Sequence, residues 1–194
     1  MNTVMRDEAI EAGIIDEVQH VQLLSDIAGY TRTAGIPEHY VWTSATEYCG
    51  AEELAYIGTI KQSLTDRDGE NIGMVYIGDV EGAAINERMM SIAGVCLRNY
   101  INAKVMTVQA VLDAIKQGTM PSNVSVLLIP NFFSARADGG RIAEWEIANL
   151  LGLLYQRQQD GKHTILHVSN MKELGAEYGK SFKKHLQSKF VHIQ

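Results

Sequence analysis

Between an apolar run and a helical pattern the chain carries Gly78-Asp79-Val80-Glu81-Gly82-Ala83-Ala84. A glycine-bounded turn joining a strand to a helix is where backbone N–H groups cradle phosphates. The working loop reads GxxxxGK followed by Ser or Thr: Lys reaches the β and γ phosphates, and the hydroxyl holds Mg²⁺. Here only three residues separate the glycines, and Ala83 and Ala84 stand at the Lys and Ser/Thr positions. Asp79 and Glu81 would repel a triphosphate. The turn reads first as a tight strand-to-helix connection, with Gly78 and Gly82 as what is left of a phosphate loop.

A second position has lost its chemistry in the same way. The apolar run Val126-Leu127-Leu128-Ile129 would end in acidic residues if it were to hold Mg²⁺ and polarise water. It ends in Pro130-Asn131-Phe132-Phe133. Neither Pro nor Phe ligates a metal, and Asn brings no negative charge. No catalytic residue, metal or cofactor is expected from these positions.

Other candidates are weaker. His163 and His167 are four apart, a chelating spacing on a helix. On a strand the same spacing covers about 13 Å, too far for one ion. Cys49 and Cys96 lack a Cys-x-x-Cys partner and read as buried thiols. Glu144 and Glu146 read as a solvated helix face. No Ser, His and Asp set can be assembled from spacing alone. Lys180, Lys183, Lys184 and Lys189, interleaved with Phe182 and Phe190, form a candidate patch for a phosphate backbone or an acidic protein. Four lysines give a weak and strongly salt-dependent contact, and a phenylalanine on such a helix more often packs inward.

The elements that must position these residues alternate along the chain. Helical spacing is predicted over 7–28, where Ile10, Ile14, Val18 and Val21 recur at steps of three and four. A break follows at Thr33-Ala34-Gly35-Ile36-Pro37. Helices are predicted over 52–64, 85–100, 108–116 and 142–157, and one or two over 171–187, broken near Gly179. Strands are predicted over 73–77, 103–108, 124–129 and 163–168. Val124–Ile129 is almost wholly apolar, as suits a buried strand of a parallel sheet. The order is a helical arm over 1–33, then βαβαβαβα over 34–194: an α/β domain with a mostly parallel sheet and helices on both faces.

Composition agrees with this and excludes other classes. The 194 residues are 46% apolar and 21% charged, which is ordinary for a globular domain. Two cysteines exclude a disulfide scaffold and make a reducing cytoplasm the natural setting. No apolar run approaches a membrane span. The formal net charge of −6 argues against a dedicated nucleic-acid binder. That charge is uneven: residues 1–33 hold six acids and two bases, and residues 156–194 hold three acids and seven bases.

The chain resembles the DnaC/IstB-type AAA+ helicase-loader family with its ATPase motifs decayed. Ala34-Gly35-Ile36-Pro37-Glu38-His39-Tyr40 resembles the segment opening the AAA+ part of those loaders. Gly73–Ala84 occupies the Walker A place, Val105–Ala110 resembles the second-strand segment, and Val126–Asn131 the Walker B strand. Glu144–Arg157 resembles the helix after it. His167-Val168-Ser169-Asn170-Met171, with Glu173, Leu174 and Gly179, resembles the sensor-1 strand and the helix bearing the arginine finger. The likeness spans about residues 34–190. It implies that Asn170 matches the sensor-1 polar residue and that the finger position falls on His185. His is neither a bidentate fork nor permanently charged.

The resemblance implies an AAA+-like, P-loop-type fold and a replication accessory protein that binds a DnaB-type helicase and loads or recruits it. ATP hydrolysis is expected to be absent. The family's N-terminal helicase contact would fall on the arm, with Ile10, Ile14, Val18 and Val21 as its apolar stripe. A weak single-stranded DNA contact would fall on the tail lysines. An inhibitor or decoy of host helicase or loader, and an IstB-like transposition helper, are the alternative readings. A phage or mobile-element origin would suit a compact loader with relaxed motifs.

Overall fold

Val126–Ile129 is shielded on both sides because it lies inside a parallel sheet, and the remaining strands take their places around it. The computed structural model describes residues 2–65, 73–78, 82–120, 123–134 and 142–193. Its strands are β1 (Gly73–Ile77), β2 (Ala103–Val105), β3 (Val126–Phe133), β4 (His163–Val168) and β5 (Val191–Ile193). They pair in the order β2-β3-β4-β1-β5, every pair parallel. The four strands expected from the sequence form. β5 is an addition too short to show as a pattern.

The helices are α1 (Asn2–Glu11), α2 (Val21–Ser25), α3 (Ile27–Ala34), α4 (His39–Trp42), α5 (Ala51–Thr65), α6 (Gly82–Arg98), α7 (Val108–Lys116), α8 (Glu144–Gln159), α9 (Met171–Glu177) and α10 (Lys180–Lys189). Among the described residues, none is long and apolar enough to cross a membrane. One side of the sheet is covered by α6, whose Ile85, Met89, Ile92 and Cys96 pack with Met74, Leu128 and Ile165. The other is covered by α7 to α10, whose Val111, Leu150, Leu154, Leu174, Phe182 and Leu186 pack with Val75, Leu127 and Leu166. The alternation of strand residues between the two cores follows from the period of two.

The N-terminal segment departs from the single helix expected over 7–28. Gly13, at φ +70, ends α1: its N–H donates to the Ile10 carbonyl at 3.0 Å, and Ile14 N–H donates to that of Ala9 at 2.9 Å. This paired closure with a left-handed residue is a strong helix stop. Asp16 then starts a new turn, its carboxylate accepting the N–H groups of Val18 and Gln19, both at 2.8 Å. Those bonds hold the Asp16 carboxyl below its ordinary pKa. The apolar stripe is consequently split. Ala9, Ile15 and Leu23 enter the α6-side core, with Ile10 and Ile14 packed against it, whereas Val18 is 85% exposed and Val21 60%.

Two charged side chains fasten this face. Buried Glu53 of α5 accepts the Gly50 N–H and, at 3.0 Å, Nη1 of Arg88 on α6. Arg98, at the end of α6, donates Nη1 to the carbonyls of Tyr40, Val41 and Thr43 at 3.2, 2.8 and 3.0 Å. Those carbonyls are the orphan acceptors at the end of α4. Burial lowers the Arg98 pKa to about 10.

Candidate functional site at the strand ends

The connections from β1 and β4 leave the sheet on opposite sides. The first runs into α6 on one face, and the second into α9 and α10 on the other. Adjacent strands whose connections diverge open a crevice at their carboxyl ends, where ligands of α/β sheets bind. Gly78, Ser169 and Asn170 follow these two strands. Residues 79–81 of the glycine-bounded turn lie outside the described residues. Gly82, Ala83 and Ala84 form the first turn of α6. Gly78 has φ +134, a conformation open to glycine and strained for any other residue.

β3 reaches the crevice through a bulge. Its pairing with β4 passes from Ile129↔Leu166 to Phe133↔Val168, so four steps of one strand match two of the other. Pro130 lies in the interrupted stretch, where a ladder donor is not needed. Asn131 adopts φ +51, which Asn tolerates better than most residues. The bulge brings Asn131 Oδ1 to 3.2 Å from His167 Nδ1. On its other side, His167 Nε2 donates to the Gly78 carbonyl at 2.9 Å.

His167 is thus the residue that joins Gly78 to Asn131, and it is buried to 2% exposure. Read from spacing alone it was an ordinary strand residue. Its place one step before the end of an apolar strand is the signal that points to the crevice. His163, at the other end of β4, pairs instead through Nδ1 with the hydroxyl of buried Tyr56 at 2.8 Å. Burial, with Arg157 nearby, pushes its pKa down to about 4. No group of three or more metal-ligating side chains occurs among the described residues.

The sensor-like and finger-like positions are engaged within the domain. Asn170 caps α9: Oδ1 accepts the N–H groups of Lys172 at 2.9 Å and Glu173 at 3.2 Å, and Nδ2 donates to Glu173 Oε1 at 3.0 Å. His185 is 4% exposed, its ring 4.4 Å from that of Tyr155 and 5.8 Å from that of Phe190. Its Nε2 has no hydrogen-bond partner among the described residues, and burial lowers its pKa.

The remaining candidates separate. Lys180 and Lys184 are exposed and Lys183 is half-buried on α10; Lys189 is exposed at its end. Phe182 is buried and Phe190 half-buried, so neither offers a stacking face beside the lysines. Cys49 and Cys96 are buried free thiols, both pushed up to about 12 chiefly by burial. Glu146 starts α8 by accepting the Ala143 N–H at 2.9 Å and pairing with Lys116 at 2.7 Å.

No protein-family model and no curated protein matches the sequence. Solved structures do match the fold. The replication initiator DnaA bound to AMPPCP and single-stranded DNA superposes with a TM-score of 0.53 at 16% identity, over 78% of this chain and 49% of that one. Domain III of DnaA from Thermotoga maritima gives 0.53 at 14% identity, over 81% and 67% of the two chains. A candidate primosome component from Streptococcus pyogenes serotype M3 gives 0.51 at 13% identity, over 82% and 90%. The chain therefore spans about half the length of the full initiator it matches. At these identities the likeness shows the fold alone: an all-parallel five-stranded sheet flanked by helices, arranged as in the replication initiator DnaA.

Proposed function

We propose that the chain is a DNA-replication accessory protein that binds a DnaB-type replicative helicase and recruits or loads it without hydrolysing ATP itself. The observation that carries this reading is the pair of altered positions at the strand ends. Ala83 and Ala84 stand where phosphoryl transfer uses Lys and Ser/Thr, and Pro130 and Asn131 stand where it uses acids. The inward turn of His185 and the capping role of Asn170 support the same conclusion. The fold shared with replication initiators and a primosome component supports a role in replication.

A protein of this kind works through contacts. Residues 1–33 are the proposed arm for the helicase, with Val18 and Val21 as its accessible apolar side chains. Lys180, Lys183, Lys184 and Lys189 are the proposed weak contact for single-stranded DNA. Native mass spectrometry with a DnaB-type helicase is the direct test, and absence of a complex at micromolar concentrations overturns the reading. Steady-state ATP turnover that Asn170→Ala abolishes would overturn its second half. Origin-dependent replication that rises on adding the protein supports loading, whereas a fall makes it an inhibitor.

A further inference from the structure

Helix α8 turns an uncharged face to solvent. Trp145, Ala148, Gly152, Tyr155 and Gln159 follow one another at steps of three and four, which sets them on one line along a helix. All five are exposed, on the side opposite buried Leu150, Leu154 and Arg157. A helix face left to water ordinarily carries charge. From 147 to 159 the chain has one charged residue, Arg157, and it is buried. Trp145 is 53% exposed and Tyr155 45%. They are the two exposed large apolar or aromatic side chains, among the described residues, that belong neither to the N-terminal segment nor to the end of α6. Each ring is already held by a neighbour: Lys116 Nζ lies 5.1 Å from the Trp145 ring, and the Tyr155 ring lies 4.4 Å from that of His185. Aromatic side chains fixed in this way lose little freedom on binding.

Gly152 adds a second observation. A glycine inside a helix costs stability relative to alanine. Gly94 of α6 shows a case that packing requires, because a Cβ there would come within 2.2 Å of the Tyr40 carbonyl oxygen. A Cβ on Gly152 would meet no neighbouring atom of the described residues within 4 Å, and its φ lies outside the left-handed region. Among the described residues, then, nothing requires this glycine. A second backbone approaching α8 from outside would, since a missing side chain permits close contact.

We infer that α8 is the face through which two copies of the chain pair, antiparallel, about a two-fold axis level with Leu150. The order of the side chains selects this occupant. In an antiparallel two-fold pair, a residue some number of positions before the axis stands level with the residue the same number after it on the other copy. Trp145 lies five before Leu150 and Tyr155 five after; Ala148 lies two before and Gly152 two after. The aromatic at each end of one helix therefore meets the opposite aromatic of the other. The smallest residues meet at the centre, where the helices come closest. The stripe is complementary to itself, as an isologous interface requires. A net charge of −6 opposes self-association in general, and this face brings no like charges together. One helix pair buries less than the roughly 1,600 Å² of a standard interface, so the dimer is weak, with a dissociation constant on the order of 100 μM. The inference is independent of the strand-end site and of the helicase reading.

The test is sedimentation equilibrium of the full chain from about 10 μM to 1 mM. A reversible equilibrium that stops at two copies is expected. Gly152→Leu should weaken pairing at least about tenfold while raising the melting temperature of the dilute chain, because leucine is the better helix former. Asn149, exposed and one residue from the axis, stands beside its own copy. Asn149→Asp and Asn149→Lys should each weaken pairing with itself about fivefold, and an equal mixture of the two should pair more tightly than either alone. A monomer throughout, assembly past two copies, unchanged pairing in Gly152→Leu, or no gain on mixing the Asn149 variants would each overturn it.

Discussion

His167 Nε2 donates to the carbonyl oxygen of Gly78 at 2.9 Å, across the junction of the two strands whose connections diverge. Through Nδ1 the same ring meets Asn131. One imidazole therefore ties together the start of the glycine-bounded turn and the end of β3. Replacing buried His167 with Ala removes both hydrogen bonds, to the half-buried Gly78 carbonyl and to the Asn131 side chain. The expected loss is about 1–3 kcal/mol in urea unfolding. Asn131→Ala, at an exposed position, should cost less.

Asn170 is predicted to act as a helix cap. Asn170→Ala should destabilise by about 1 kcal/mol, and Asn170→Ser should recover most of it. Thermal unfolding of the two variants checks this. Equal melting temperatures would mean that α9 does not depend on the cap.

Arg157 lies buried on α8 and donates to Thr164 Oγ1 at 3.0 Å and to the carbonyls of Val124, Ser125 and His163 at 3.1, 3.3 and 2.6 Å. Burial lowers its pKa to about 10. Its planar fork serves four neutral acceptors on two segments, 124–125 and 163–164, which an ammonium cannot match. Arg157→Lys is expected to cost about 2–3 kcal/mol by denaturant titration.

Buried His163 sets an acid limb of stability. Its folded pKa of about 4 lies below the ordinary value of 6.5. Between those values the unfolded chain binds the proton and the folded chain does not, so stability rises with pH. Its contribution is complete above about pH 6.5 and is lost as pH falls toward 4, on the order of 3 kcal/mol in all. In His163→Gln the slope of unfolding free energy across this window should fall by about one proton. Depressed His185 adds to the same limb and remains in that variant.

For the tail lysines, the proposed DNA contact has a salt signature. The combined change of Lys180, Lys183 and Lys184 to Ala should weaken binding of a fluorescent single-stranded oligonucleotide. It should also reduce the slope of log affinity against log salt by about 2. An unchanged slope would place any contact elsewhere.

Much of the fold was legible because its signals are local. Ile85, Met89, Ile92 and Cys96 mark α6 by spacing, and the apolar run to Ile129 marks a buried strand. The arm misled because Ile10, Ile14, Val18 and Val21 continue a helical period across Gly13 and Asp16, whose stop and restart are decided by backbone closure. Phe190-Val191-His192-Ile193 is too short to separate from the end of α10. At the strand ends, Gly78 and Asn131 followed from position in the α/β order. The His167 junction did not, because it exists only through the bulge that turns Asn131 toward β4.

Helix α6 begins at Gly82 beside the strand-end crevice and ends at Arg98, two residues before Tyr100. Its 17 residues rise about 25 Å. It therefore acts as a ruler between two surfaces of different character, one flanked by Asp79 and Glu81 in sequence and the other by exposed Tyr100. A partner that engaged both would have to match that length, and a substitution that shortened or kinked α6 would change the spacing while leaving each surface intact.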